Sequence, residues 1–374
     1  MFRTPAATFK TFIFVSLGIL IFGDIMVFSA AQVTGLTIGG NSFTISGKQI
    51  VLSVISVLCA WVIAQIPIVN VKKIARVALF LALGIMLLLI PFGVDVNGNK
   101  NWVSFGPLGF QPSEVAKLLL IIWAAVIIER NFHNPRQIFF QVTFGFALVL
   151  SIVLLGGDLG SAVVIGLILA SLVYLAGADN KLIGLLGGLG ILGVAGLIAI
   201  QPYRIARFTA FIHPFADGIY KNAGWQPAHS LMALGSGGLF GSGIGSSKQK
   251  WGNLAEAHTD FIFGVIGEEF GLVGTLSVLL LLGALIYSIF KISLRAEQPF
   301  IRFACAGIGC WIFIQSFLNI GSATSVLPVV GVTLPLISYG GSALVATLCA
   351  IGFVAGAALR DPAVRSELMK KRRA

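Results

Sequence analysis

Residues Gly224–Phe270 read GWQPAHSLMALGSGGLFGSGIGSSKQKWGNLAEAHTDFIFGVIGEEF. The stretch is polar and glycine-rich as far as Asp260, then turns apolar at Phe261. The chain around it has 374 residues, 57% hydrophobic and 10% charged, with a mean hydropathy of +0.97. Soluble domains carry roughly 25% charged residues, so this is a membrane protein and the polar stretch is what it holds outside the bilayer. Loops beyond about 12–15 residues in compact proteins are usually functional or disordered. This one ends in a carboxylate set against a span, which makes it the first place to look for chemistry.

Outward from it, ten runs approach the roughly 20 apolar residues that a bilayer-crossing helix needs. They cover 11–30, 49–67, 74–92, 113–129, 137–155, 161–178, 182–201, 261–290, 300–320 and 336–359. The expected architecture is an all-α polytopic membrane protein of about ten spans, forming a single membrane domain over 1–374. The eighth run is longer than a crossing requires, so its start is expected to be interfacial or tilted. The first run is long enough to remain as a span, and no cleavable signal peptide is expected.

The net charge of +11 could suggest nucleic acid, but in a polytopic chain an excess of Lys and Arg marks cytoplasmic loops. With the N-terminus inside, seventeen cations fall on inner segments, seven on outer ones, and Lys117 within a span. Both termini (tails 1–10 and 360–374) are therefore expected in the cytoplasm, and the large segment 202–260, between spans seven and eight, outside. The terminal MKKRRA reads as a basic anchor near anionic lipid. Cys59, Cys305, Cys310 and Cys349 all lie in apolar runs and read as free thiols.

Asp260 leads the candidate residues. Gly264, Gly267, Gly271 and Gly274 form a small-residue stripe downstream, and a helix extended back from them would put Asp260 on the same face, toward the bundle. Its plain alternative is an N-cap, a job Thr259 could also do. Glu256 and His258 add more polar groups than a cap requires. Glu268 and Glu269 are costly at membrane depth and are expected to be paired structurally. Six glycines in Gly235–Gly245 suit either an anion nest or a re-entrant loop, and Lys248, Lys250 and Trp251 follow. Lys117, three residues after Glu114, either neutralises it or holds an anionic substrate at the outer mouth. Trp102 is either an interfacial belt residue or a stacking platform for a sugar ring. Asp158 reads as a cap, whereas Asp24 in the first span needs a partner. His229 and His258 lack a third ligand at metal spacing, so no structural metal is expected.

Trp102–Lys117 (with NWVSFGPLGFQPSEVAK around it), Asp158-Leu159-Gly160, Pro202-Tyr203-Arg204, Glu256–Glu269 (EAHTDFIFGVIGEE) and Leu334–Ser342 (LPLISYGGS) together resemble the SEDS proteins of shape, elongation, division and sporulation. EAHTDFIF and Gly321–Pro335 look more like the division branch than the elongation branch. Two positions depart from the usual pattern: Asn101 stands where an arginine is common, and Gly156-Gly157 where Gln-Pro is.

The resemblance implies a peptidoglycan glycosyltransferase that polymerises lipid II on the outer face of the bacterial cytoplasmic membrane. It also implies a class B penicillin-binding protein as partner, alongside other division proteins at the septum. Asp260 matches the family's proposed catalytic aspartate; Trp102 and Lys117 match its functional positions. In this reading Asp260 takes the proton from the acceptor 4-hydroxyl, and Lys117, Arg204 or Lys248 steadies the pyrophosphate, with Glu114 and His258 also near the substrate. A divalent cation, Mg2+ or Mn2+, could assist at the pyrophosphate. The competing readings are a lipid II flippase, an elongation-type polymerase and a non-catalytic scaffold.

Overall fold

Backbone amides in lipid have no water to bond, so each apolar run must satisfy them internally, as a helix. The computed structural model describes residues 4–96, 99–105, 108–200 and 202–373. In chain order the elements are α1 (Pro5–Ala30), α2 (Gln32–Gly39), α3 (Phe43–Gln65), α4 (Ile68–Leu87), α5 (Leu89–Phe92), β1 (Gly93–Val96), β2 (Asn99–Phe105), β3 (Leu108–Phe110), α6 (Pro112–Arg130), α7 (Pro135–Leu155), α8 (Leu159–Leu175) and α9 (Asn180–Ile200). They continue with α10 (Pro202–Ile212), α11 (Trp225–Ser236), α12 (Ile262–Arg295), α13 (Pro299–Ala323), α14 (Gly341–Leu359) and α15 (Pro362–Arg373).

Each of the ten apolar runs lies on a helix. Eight of these helices are long and apolar enough to cross a membrane. The other two are α8, with 17 residues, and α6, which carries Glu114, Lys117, Glu129 and Arg130. Both chain ends meet at one face, where Ala6 N–H donates to Glu367 Oε2 at 3.1 Å. At that face Arg360 also donates to the Ile66 carbonyl at the end of α3, at 2.6 Å. An even number of crossings requires this, and the cation asymmetry makes it the cytoplasmic face. The side chains of the basic tail 370–374 lie outside the described residues.

The all-α class holds, with one addition: β1, β2 and β3 form a small antiparallel sheet at the outer face, in the order β1-β2-β3. Two expectations need correction. The polar segment 202–260 is not one loop but holds α10 and α11. The last run does not enter its helix at 336. Residues 324–340 form an irregular stretch containing Pro328 and Pro335, with Leu336 at φ 65°, and α14 begins only at Gly341.

The eighth span has an explicit break. Inside α12, Gly271 adopts φ 64°, ψ −158°, splitting it into an outer half-helix and a longer inner one. The glycine stripe on the outer half does not aim Asp260, which lies before the helix and does not cap it. The stripe seats α11 and the glycine loop instead. A Cβ at Gly264 would lie 3.0 Å from Ser230 Oγ, and one at Gly267 would lie 2.4 Å from Leu234. In return, a Cβ on Gly237 or Gly241 would fall 1.9 or 2.2 Å from the carbonyl oxygens of Gly267 and Glu269. Only glycine permits backbones to approach this closely. The run 235–245 is thus a packing device.

Glu268 and Glu269 complete that attachment, as the cost of burying them requires. Glu268 accepts the Lys248 N–H at 2.8 Å and the Ser247 hydroxyl. Glu269 pairs with Lys250 at 3.2 Å, both side chains fully buried, and accepts from Ser29 on α1 at 2.6 Å. Asp24 finds its partner in Ser53 on α3, at 2.8 Å. Asp158 caps α8 through the Ser161 N–H at 2.9 Å.

Candidate active site

Asp260 is held by its backbone. Glu256, at φ 58°, starts a tight turn in which the N–H groups of Thr259 and Phe261 both donate to the Glu256 carbonyl, at 3.1 Å each. The carbonyls of residues 258, 259 and 260 are each taken by a different donor. Tyr339 N–H donates to His258 O at 2.9 Å, the Ser338 hydroxyl to Thr259 O at 2.6 Å, and Asn319 Nδ2 to Asp260 O at 2.8 Å. Left-handed backbone at Glu256 and Leu336 costs of order 1–3 kcal/mol each, and such residues cluster at functional sites. Here they flank the two segments that meet at Asp260.

The irregular stretch after α13 is satisfied by side-chain amides, because buried carbonyls must find donors. Asn319 Nδ2 also donates to Val332 O at 2.7 Å, and Gln315 Nε2 to Thr333 O at 3.0 Å. The Gln315 oxygen in turn accepts from Lys117 Nζ at 2.8 Å and Trp311 Nε1 at 2.7 Å. These two donors fix which way the Gln315 amide faces. The stretch then passes the start of α8, where a Cβ on Gly160 would lie 2.4 Å from Val330 O, and brings Gly331 beside the carboxylate. A Cβ at Gly331, which adopts φ 73°, would stand 3.6 Å from Asp260 Oδ2.

No side chain donates to the Asp260 carboxylate among the described residues. The side chain is half-buried in a crowded setting. Desolvation first, then the negative charge of Glu256, raises its pKa; Arg207 opposes this and Asp158 adds to it, and the carboxyl is pushed up to about 7. A carboxylate near neutrality, unengaged and rigidly placed, suits proton abstraction. His258 is half-buried beside Tyr339, with ring centroids 5.6 Å apart, and its Nδ1 has no partner. Burial lowers its pKa more than Glu256 raises it.

The other sequence candidates divide. Lys117 is buried and bound to Glu114 at 2.8 Å, with its ammonium 5.1 Å from the Trp311 ring, and it is linked through Gln315 to Thr333 on the irregular stretch. Trp102 is half-buried on β2, paired with Val94 and packed on Gly109. Lys248 has an exposed side chain and is anchored by its N–H to Glu268. Arg204 lies on α10 with its side chain outside the described residues; Arg207, nearly one turn on, is the cation whose charge Asp260 feels. Arg207, Gln315, Asn319 and Ser338 escaped the sequence reading. Gln315 and Asn319 could have been found as amides four residues apart inside an apolar run, where polar groups are costly.

Asn319→Ala should leave two carbonyls without their donor, at about 1–3 kcal/mol for a buried unpaired group. The expected result is a lower unfolding midpoint in detergent together with reduced turnover and a little-changed KM. An unchanged midpoint would mean water replaces the amide.

Residues 9–361 match the cell cycle protein family of FtsW, RodA and SpoVE. The chain is 39% identical over 346 residues to the probable peptidoglycan glycosyltransferase FtsW of Haemophilus influenzae, covering 90% of this chain and 86% of the relative. It is 35% identical over 358 residues to the protein of the same name from Aeromonas salmonicida, covering 94% and 90%. Among solved structures it superposes at a TM-score of 0.74 and 25% identity on a chain from work on coordination of polymerization and crosslinking by a peptidoglycan synthase complex, covering 94% and 97%. On the rod shape determining protein RodA of Thermus thermophilus the TM-score is 0.68 at 26% identity, covering 94% and 96%. With the match spanning nearly its whole length, the chain belongs to the FtsW/RodA/SpoVE family of multi-pass membrane proteins.

Proposed function

We propose that this protein is a peptidoglycan glycosyltransferase of the division branch, polymerising lipid II at the outer face of the cytoplasmic membrane. The names of its relatives support the activity. The observation that carries it is the Asp260 carboxylate: unengaged among the described residues, with a pKa of about 7, and placed by three hydrogen bonds to backbone carbonyls that leave the side chain alone.

The acceptor 4-hydroxyl oxygen attacks the anomeric carbon of the donor sugar. The new glycosidic C–O bond forms as the bond to the lipid pyrophosphate breaks, and the hydroxyl proton passes to Asp260. A pyrophosphate leaves without a protein acid, so one carboxylate suffices; glycoside hydrolysis, with an alcohol leaving group, requires a pair. Arg207, the cation whose charge Asp260 feels, is suited to steadying the pyrophosphate, with Arg204 and Lys248 as further candidates. Lys117 and Glu114, tied to each other, act on the site through Gln315, and His258 and Trp102 complete the candidate substrate contacts. Among the described residues no three His, Cys, Asp or Glu side chains come together; a Mg2+ or Mn2+ ion at the pyrophosphate would rest on one or two carboxylates and the substrate's own phosphates. A class B penicillin-binding protein supplies crosslinking, and the complex works at the septum.

Purified protein, reconstituted with its transpeptidase partner and lipid II, should make glycan strands; headgroup translocation without polymer would replace this reading with a flippase. The pH profile is a second test. A base with a pKa of about 7 is ionised above that value and loses its function below it, so turnover should fall to about one-tenth of its plateau at pH 6. A profile flat down to pH 5 would remove Asp260 as the base.

A further inference from the structure

At the opposite face, α6 and α7 enclose a cleft of about 410 Å³ lined by Trp123, Ile127, Arg130, Asn131, Gln141 and Phe144. Toward the bilayer centre the two helices touch. The Trp123 ring fills a notch at Gly145, where an added Cβ would lie 2.3 Å from it. Toward the cytoplasm they part, leaving an apolar floor of Trp123, Ile127 and Phe144 beneath a polar rim. We infer that this cleft seats one anionic phospholipid of the cytoplasmic leaflet, its phosphate on Arg130 and Gln141 and an acyl chain along the floor.

The rim offers two donors, Arg130 and Gln141. Arg130 is exposed and has no ion-pair or hydrogen-bond partner among the described residues. Its acidic neighbour Glu129 is already paired with Lys72 at 2.8 Å. Asn131 Nδ2 donates to the Ile127 carbonyl and to Gln141 Oε1, both at 3.0 Å. The second bond occupies the Gln141 oxygen and leaves its amide nitrogen as a spare donor. A guanidinium and an amide N–H₂ above an apolar floor match a group that only accepts and carries negative charge. Arg130 ends α6 at the cytoplasmic boundary, the level at which basic clefts between spans meet anionic headgroups. A free phosphate would use the rim alone, whereas a phospholipid also covers Trp123 and Phe144.

Native mass spectrometry of the full-length protein, released from detergent after incubation with phosphatidylglycerol, phosphatidylcholine or inorganic phosphate, tests this. Wild type should retain one phosphatidylglycerol in preference to phosphatidylcholine. Arg130→Gln and Gln141→Glu, both at exposed positions, should each cut retention about tenfold through loss of a charge-assisted bond or gain of a repelling charge, with unfolding midpoints unchanged. Lys73→Gln, which removes an exposed cytoplasmic cation away from the cleft, should retain lipid like wild type. Equal retention in Arg130→Gln, equal loss in Lys73→Gln, or Arg130-dependent capture of inorganic phosphate in place of lipid would each overturn the assignment.

Discussion

Asp260→Asn, assayed with the transpeptidase partner and lipid II, is expected to lower polymerisation about 10²–10⁴-fold, the usual contribution of a positioned general base. The substitution is nearly isosteric, and the hydrogen bonds that hold this turn end on the carbonyls of His258, Thr259 and Asp260 rather than on the side chain. Folding and substrate binding should therefore be preserved, and the loss should appear in turnover with KM little changed. Asp260→Glu keeps a carboxylate but moves it by a methylene beside Gly331, so it should recover part of the rate. Full polymerisation by the asparagine variant would sink the base assignment while leaving the polymerase reading intact.

Glu269→Ala is expected to produce the largest loss of stability, about 3–5 kcal/mol, because removing one member of a buried ion pair strands the other. Lys250 would keep only the Gly245 carbonyl and the Ser29 hydroxyl, at 2.8 and 3.1 Å, around a buried ammonium. The glycine loop would then lose one of its ties to α1 and to the broken end of α12, with the Lys250–Ser29 bond and the bonds to Glu268 remaining. Thermal unfolding in detergent reads this directly. Removing both charges, as Lys250→Met with Glu269→Leu, should recover most of the loss, since a buried pair is often replaceable by apolar residues of similar volume. If the single and double variants unfold alike, the pair is not what holds the loop.

These two effects concern residues of different legibility. Glu268 and Glu269 stand out in an apolar run because charge in lipid demands a partner, and pairing could be expected before any partner was known. Lys250 could not be chosen over Lys248 as that partner, since two residues in a loop give no periodicity to read. The structure selects Lys250 by burying it and leaves the Lys248 side chain exposed. Lys117 carried two readings, neutralising Glu114 or holding an anionic substrate at the outer mouth, and its geometry is that of a buried residue bound to Glu114 and Gln315.

Hydropathy alone determined that the chain is a helical membrane bundle and where its ten apolar runs lie, because a backbone in lipid has so few ways to bond itself. Cation counting likewise assigned the faces, and the motif around Asp260 marked the residue to examine. Tertiary structure decided the rest: the sheet at the outer face, the break at Gly271, and the joining of residues 258–260 to 338–339 and Asn319. Those contacts tie residues about 60–80 positions apart through single hydrogen bonds, and such pairings leave no local pattern. The pKa of Asp260 depends on the fold too, since it is set by burial, by Glu256 four residues before it, and by Arg207 and Asp158, which only the fold brings within reach.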